Sequence, residues 1–576
     1  MPSSARASVA ADTARARKRG KRSFMKGLQV KQVRRERQLR VATPRALAAP
    51  AGCGSFPAMA RVLLLLLLSF TLARAQDYDV VIRHARLVDG TGAPARAGDL
   101  AIKDGRIAAV GSVPGRGRTE IEAHGRVLAP GFIDVHTHAE DACELPQAEN
   151  FLRMGVTTII TGNCGDSQPD IGRFFAELKT TPVAVNVASL VGHGTIRQAV
   201  MGKDAARPAT PAEIAAMARQ VEQAMQAGAL GLSTGLIYVP GSFAKTEEIV
   251  ALAKVVAAHG GLYASHMRHE NVMIRAALDE VFTVAREAHV PVQISHLKLS
   301  GPAAWGQAAD ILALLDRQRA AGITVAQDVY VYTAASTSLG SVIDPAVRAG
   351  GTATFRRQIV DPAVHAHVVA DMKASIRQGK RGDYAYAVIA RCESDPRLNG
   401  KSVPEAARLL RGNDTLDDQI ETILAIQAAG GASAVFHGMS EADVRAFLVH
   451  PLTMIGSDSG IRKFGEGVPH PRGYGNNARV LAHYVRELHL LSLEEAVRKM
   501  TSLPAHTFHL GQRGELRPGF VADLVLFDPA NVATAAEFTD PHHYAQGFDD
   551  VFVNGVAVIR EGALTAARPG QPVKRG

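Results

Sequence analysis

Between residues 129 and 509 the chain alternates two patterns: short apolar runs that end in polar residues, and longer segments whose apolar residues recur every third or fourth position. The short runs are Ile133-Asp134-Val135, Thr158-Ile159-Ile160, Val183 to Val187, Ala229 to Leu232, Leu262-Tyr263-Ala264, Val292-Gln293-Ile294, Thr324-Val325-Ala326 and Leu452 to Ile455. They predict eight buried strands. Segment 211–228 shows the second pattern: Ile214, Met217, Val221 and Met225 share one helical face, Pro211 opens it and Gly228 stops it. A further helix is predicted from Thr246 to Gly260-Gly261. Strands alternating with helices in this way predict an α/β fold, a (β/α)8 barrel, with a doubly wound parallel sheet as the competing arrangement.

The flanks lack helical periodicity. Asp79 to Arg83, Asp99 to Ile102 and Arg106 to Val110 read as short strands, and so do Ala522 to Phe527 and Val551 to Val558, with Asn554-Gly555 as a hairpin turn. Residues 76–128 and 510–576 are therefore expected to form one small β-domain beside the barrel of 129–509. Residues 333–435 break the rhythm, with Asp361-Pro362 and Arg397-Leu398-Asn399-Gly400 among several helical pieces. They predict an insertion after strand seven, on the side where barrels carry specificity elements.

Composition excludes some classes. With 576 residues, 47% hydrophobic and 21% charged, the chain is neither disordered nor fibrous. The net charge of +10 is unevenly placed: residues 1–58 hold 14 basic side chains against Asp12 and Glu36, so the other 518 carry 51 basic and 53 acidic ones, a balance of −2. The body has no electrostatic footprint for nucleic acid. Residues 1–58 read as a basic, disordered leader. After them come Met59-Ala60-Arg61, an apolar run from Val62 to Leu72 with six consecutive leucines, and Ala73-Arg74-Ala75. These are the three parts of a signal peptide over 59–75, and the run is too short for a helix across ~30 Å of hydrocarbon. An exported protein, periplasmic or secreted and without a stable membrane anchor after cleavage, is expected over an anchored one. The four cysteines, Cys53, Cys143, Cys164 and Cys392, are too scattered for a disulfide framework. No pattern in the chain sets an oligomeric state.

Polar residues at the strand ends carry the chemistry. His136-Thr137-His138 follows strand one, Asn163-Cys164-Gly165 strand two, Ser265-His266 strand five, Ser295-His296 strand six and Ser457-Asp458 strand eight. All lie at C-terminal strand ends, the catalytic face of a barrel. His136 and His138 project to one side of an extended strand, since side chains alternate with period two. Taken singly, each histidine reads as a hydrogen-bonded structural residue, Cys164 as a small buried hydrophobe and Asp458 as a helix cap. Five such sites at five strand ends point jointly to a metal centre, with imidazole, thiolate and carboxylate ligands suited to one or two Zn2+ ions. Asp458, beside that centre, is the candidate general base.

Pro130-Gly131-Phe132-Ile133-Asp134-Val135-His136-Thr137-His138 together with Ser457-Asp458 resembles the amidohydrolase superfamily. Thr161-Gly162-Asn163-Cys164-Gly165, Gly235 to Gly241, Ser265-His266-Met267-Arg268, Ser295-His296-Leu297-Lys298 and His470-Pro471-Arg472 resemble more closely its D-aminoacylase (N-acyl-D-amino-acid deacylase) family, over about residues 78–560. The resemblance implies a tightly held Zn2+ on Cys164, His266 and His296, and a weaker site on His136, His138 and Asp458 that shares Cys164. It maps carboxylate recognition onto Lys298, Tyr330, Ser336 and Arg472, with Tyr332 and Ser338 as an alternative register, and places Tyr238 near the substrate amide. The implied reaction is hydrolysis of a small N-acyl-D-amino acid to a carboxylic acid and a free D-amino acid. Hydrolysis of another linear or cyclic amide, such as a dipeptide, hydantoin or N-carbamoyl compound, is the competing enzyme reading. A non-catalytic zinc-binding protein is a third, against which an intact Asp458 weighs. Strand four, Leu232-Ser233-Thr234-Gly235, lacks the lysine that bridges two metals in cyclic-amide hydrolases of the superfamily. The stretch Ser459 to Pro469 is longer than in well-known family members and bears on substrate preference.

Overall fold

A computed structural model of the protein describes residues 77–575, so the leader 1–58 and the segment 59–75 lie outside the described residues. Eight strands run through the middle of the chain: Phe132–Asp134 (β1), Val156–Thr161 (β2), Asn186–Ser189 (β3, resumed at Val191–Gly192), Gly231–Gly235 (β4), Leu262–His266 (β5), Val292–Ile294 (β6), Val325–Val329 (β7) and Thr453–Ile455 (β8). Each pairs in parallel with the next. The circle closes between its first and last members: Thr137 and Ser459 form a parallel bridge, the His138 amide donates to Ser459 O at 2.9 Å and the Asp458 amide to His136 O at 2.8 Å. Closure makes this a (β/α)8 barrel and removes the doubly wound sheet from consideration.

Local sequence accounts for the intervening helices. Pro211–Ala227 begins with a reciprocal capping box between Thr210 and Glu213 and ends at Gly228, whose φ of 112° suits only a residue without Cβ. Ile274–Ala288 buries Ile274, Leu278, Val281, Phe282 and Ala285, a stripe at spacings of three and four. One strand differs from expectation. β3 begins at Asn186 and not at Val183, because the C-terminal segment pairs there: Gly570 N donates to Val183 O and Val573 N to Val187 O, both at 2.8 Å. Val183 to Val185 are buried in the main core, so apolarity alone placed the strand start too early.

Both flanks of the barrel contribute to a nine-stranded sheet. Tyr78–Leu87, Arg96–Lys103, Arg106–Gly111, Gly117–Glu122 and Val127–Pro130 join Leu524–Phe527, Phe548–Val553, Val556–Arg560 and Ala563–Leu564. The junction is Val127–Pro130, antiparallel to Leu524–Phe527, and that pairing carries the sheet through Pro130 instead of ending it at 128. Asn554 and Gly555, with φ of 50° and 79°, form the hairpin turn between the last long strands.

Between β7 and β8 stands an insertion with its own core of Phe355, Val368, Met372, Tyr384, Ile389, Ile420 and Ile423. Its antiparallel sheet pairs Ala334–Ser338 and Ala387–Arg391 on either side of Ser433–His437, so the inserted sheet runs past residue 435. No helix among the described residues is long and apolar enough to cross a membrane.

Candidate metal centre

The C-terminal strand ends bring six candidate ligands together. Donor atoms of His136, His138 and Cys164, of Cys164, His266 and His296, and of His136, His296 and Asp458 form three groups, each with all atoms within 4.8 Å of one another. Cys164 Sγ lies 3.2 Å from His136 Nε2 and 3.5 Å from His296 Nε2. Two ligands on a tetrahedral zinc, with bonds of about 2.0–2.3 Å, are separated by a similar distance. Asp458 Oδ1 lies 3.1 Å from His138 Nε2 and 3.6 Å from His136 Nε2.

Three of these residues hold unusual backbone conformations. Cys164, His296 and Asp458 have φ of 54°, 35° and 51°, left-handed values that cost a non-glycine residue about 1–3 kcal/mol. At Cys164 the packing is close: a Cβ at Gly235 would lie 2.0 Å from the Cys164 carbonyl oxygen. Asp328, at the end of β7, accepts from the His296 amide at 3.0 Å and lies 3.2 Å from His136 Nδ1.

The donor set fits zinc. Both ring nitrogens of His266 are buried without a hydrogen-bond partner among the described residues, an arrangement costly for an imidazole with nothing to bind. Burial holds His266 and His296 well below the ordinary histidine range, which leaves their lone pairs free. Burial likewise pushes the Cys164 thiol well up, and a cation between it and the two imidazoles would reverse that by stabilising the thiolate.

Glu270 was missed by the sequence reading. Its Oε1 accepts from Lys298 Nζ at 2.5 Å and lies 3.0 Å from His296 Nδ1, while Oε2 is 3.9 Å from His266 Nε2. His296 Nδ1 lies 2.8 Å from Lys298 Nζ and 3.0 Å from Glu270 Oε1, and these two side chains fix the ring so that Nε2 faces Cys164, the orientation a ligand needs. An acidic residue four positions after a strand-end histidine was the available signal. Lys298 is 3% exposed. Burial lowers its pKa, but Glu270 outweighs this and keeps the ammonium charged.

The substrate-side candidates stand around Asp458. Arg472 Nη2 lies 2.9 Å from Asp458 Oδ2, whereas Arg472 Nε and Nη1 are buried without partners among the described residues. Burial pushes the Asp458 carboxyl up, yet Arg472, His136 and His138 together hold it well below the usual carboxylate range. The Tyr330 ring lies under the Arg472 guanidinium, 4.4 Å from it, and faces Lys298 at 5.8 Å. Ser336 O is 3.5 Å from Arg472 Nη2. In the alternative register, Tyr332 packs on His470 and Phe538 and Ser338 caps the following turn, so Tyr330 and Ser336 are the pair beside Arg472. Tyr238 stands 4.8 Å from the His266 ring and its hydroxyl accepts from Thr337 Oγ1 at 3.0 Å.

Two cavities meet here. One of about 990 Å3 is lined by His138, Cys164, Arg462 and Arg472, the other of about 240 Å3 by His266, Glu270, His296 and Lys298. Tyr238, Ser336, Thr337 and Asp458 line both. Ile461 and Arg462 bring the long stretch after Asp458 into the wall of the larger one.

The model of the amidohydrolase family matches residues 119–562. The chain belongs to that family. Within it, the chain is 38% identical over 527 residues to the D-aminoacylase of Alcaligenes xylosoxydans xylosoxydans, covering 87% of this chain and 98% of the relative. A solved D-aminoacylase with a binuclear metal centre matches at a TM-score of 0.75 and 36% identity, over 86% of this chain and all of the other. The N-acyl-D-glutamate deacylase of Bordetella bronchiseptica, solved with zinc and a phosphonate mimic of the tetrahedral intermediate, matches at 0.75 and 34%, over 86% of this chain and 99% of the other.

Proposed function

We propose that this amidohydrolase is a zinc-dependent N-acyl-D-amino-acid deacylase, releasing a carboxylic acid and a free D-amino acid. The observation that carries the reading is a Cys164, His266 and His296 donor set beside a carboxylate, Asp458, that is itself paired to a guanidinium whose Nε and Nη1 are unpartnered among the described residues. Likeness to D-aminoacylase along nearly the whole relative supports the substrate class.

Cys164, His266 and His296 would hold the tight zinc, and His136, His138 and Asp458 a weaker second site. Zinc there supplies Lewis acidity, polarising a carbonyl and lowering the pKa of water. Arg472, whose Nε and Nη1 are without partners among the described residues, receives the α-carboxylate of the substrate on its planar guanidinium, with Ser336 and the Tyr330 ring fixing its plane. The Tyr238 hydroxyl, kept protonated by burial, donates to the oxygen of the scissile carbonyl as negative charge grows there. Asp458 accepts the proton of the attacking water and passes it to the amide nitrogen, so that a neutral amine departs. Lys298 and Glu270 orient His296. Anchoring the carboxylate and the carbonyl at two points leaves one region for the side chain, which is the physical basis for selecting one enantiomer. Export through segment 59–75 belongs to the same proposal, on the strength of its charged, apolar and small-residue parts.

The test is amine release from matched N-acetyl-D- and N-acetyl-L-amino acids. Turnover of the D-series alone supports the reading, and turnover of neither series by zinc-loaded protein rejects it. Recovery of the protein in the cytoplasmic fraction would reject export.

A further inference from the structure

The smaller cavity contains a cation that the reaction described above does not use. Of the carboxylates lining it, Glu270 is paired with Lys298 and Asp458 with Arg472. Arg381, which lies just after the inserted helix Pro362–Gln378 and also lines the cavity, has no such partner among the described residues. Burial lowers its pKa and only Tyr386 acts against that, so no carboxylate among the described residues offsets the half-buried charge. Its guanidinium carbon lies 3.5 Å from the centroid of the Tyr386 ring. Stacking occupies one face of the guanidinium and leaves its N–H edges free for a carboxylate.

The surroundings make room for this group. A Cβ at Gly301 would lie 3.3 Å from Arg381 Nη2 and one at Gly438 only 2.8 Å, and these two glycines are tied together by a hydrogen bond of 2.7 Å from Gly301 N to Gly438 O. Any side chain at Gly438 would push the guanidinium out of its place. A half-buried cation in a fitted slot, opening on the cavity that also holds His266 and His296, is a costly arrangement unless an anion arrives to meet it.

We infer that Arg381 receives a second carboxylate of the substrate, in addition to the α-carboxylate, and that the enzyme prefers N-acyl-D-amino acids bearing one. The inference rests on the deacylase reading above. The second carboxylate has two possible sources, the amino-acid side chain and the acyl group.

Two substrate pairs separate these sources with the zinc-loaded full chain: N-acetyl-D-glutamate against N-acetyl-D-glutamine, equal in shape and different in charge, and N-succinyl-D-leucine against N-acetyl-D-leucine. In one pair the charged member is expected to have a kcat/KM about 10- to 100-fold higher, the range for hydrogen bonds to charged groups. The responding pair identifies the source. In Arg381→Met the ratio for that pair falls to near one, and in Arg381→Lys most of it is kept. Because the readout is a ratio, a general loss of activity leaves it unmoved. A ratio near one in both pairs for the unaltered protein, or a ratio that survives Arg381→Met, overturns the role of Arg381 and leaves the deacylase reading standing. No turnover of any of the four substrates overturns both.

Discussion

Arg472 Nη2 and Asp458 Oδ2 lie 2.9 Å apart in a pocket that leaves the arginine 2% and the aspartate 9% exposed. One guanidinium thus fixes the candidate base through Nη2 and keeps Nε and Nη1, unpartnered among the described residues, for a substrate carboxylate. Lysine cannot reproduce that planar set of donors. Arg472→Lys is expected to raise KM for N-acetyl-D-leucine at least tenfold and to lower kcat/KM by about 100-fold, with zinc content unchanged. Steady-state kinetics with parallel metal analysis checks this; an unaltered KM would remove the carboxylate from Arg472.

Asp458 is expected to matter more for the chemical step than for holding the tight metal, since Cys164, His266 and His296 form a complete donor group without it. Asp458→Asn keeps the shape and removes the basicity. It is expected to lower kcat by about 10^2- to 10^4-fold, the usual contribution of general acid–base catalysis, while at least one zinc per chain stays bound. Turnover at the original rate would dismiss Asp458 as the base.

Glu270 acts on the metal through His296. Glu270→Gln retains volume but exchanges an acceptor-only carboxylate for an amide, so both His296 and Lys298 lose their charged partner. Zinc affinity is expected to fall about 10- to 100-fold, read by competition with a chelator. Equal affinities for the variant and the original protein would show that Glu270 serves Lys298 alone.

Gly235 links backbone packing to the centre. Gly235→Ala would place a methyl group 2.0 Å from Cys164 O, a backbone atom, and 2.7 Å from the Tyr238 ring, so the Cys164 backbone must shift. Loss of tight zinc is expected even if the barrel folds. Metal analysis of protein whose thermal transition remains cooperative tests it, and full zinc occupancy would show that the Cys164 loop yields.

The barrel was legible because its signal is repetitive: each of β1 to β8 overlaps an apolar run, and each candidate ligand follows such a run within four residues. What escaped was set by partners distant in sequence. The start of β3 depends on Gly570 to Val573, which no local pattern announces. Glu270 belongs to the site only because the strand-end turn folds it back to Lys298 and His296, and Asp328 because β7 lies beside β6. Arg381 comes from an insertion whose periodicity reports its own core and says nothing of the cavity its loops reach. Tyr330 and Tyr332 are two residues apart in an aromatic stretch, and only the positions of Arg472 and His470 separate their surroundings.

The central claim, that zinc on Cys164, His266 and His296 enables hydrolysis of N-acyl-D-amino acids, is tested most directly by titrating metal-free protein with zinc while following amine release from N-acetyl-D-leucine. No activity is expected without metal, followed by a linear rise that breaks at one equivalent, and no response at any zinc concentration in Cys164→Ala. Full activity in the metal-free protein, or an undiminished rise in Cys164→Ala, would contradict it.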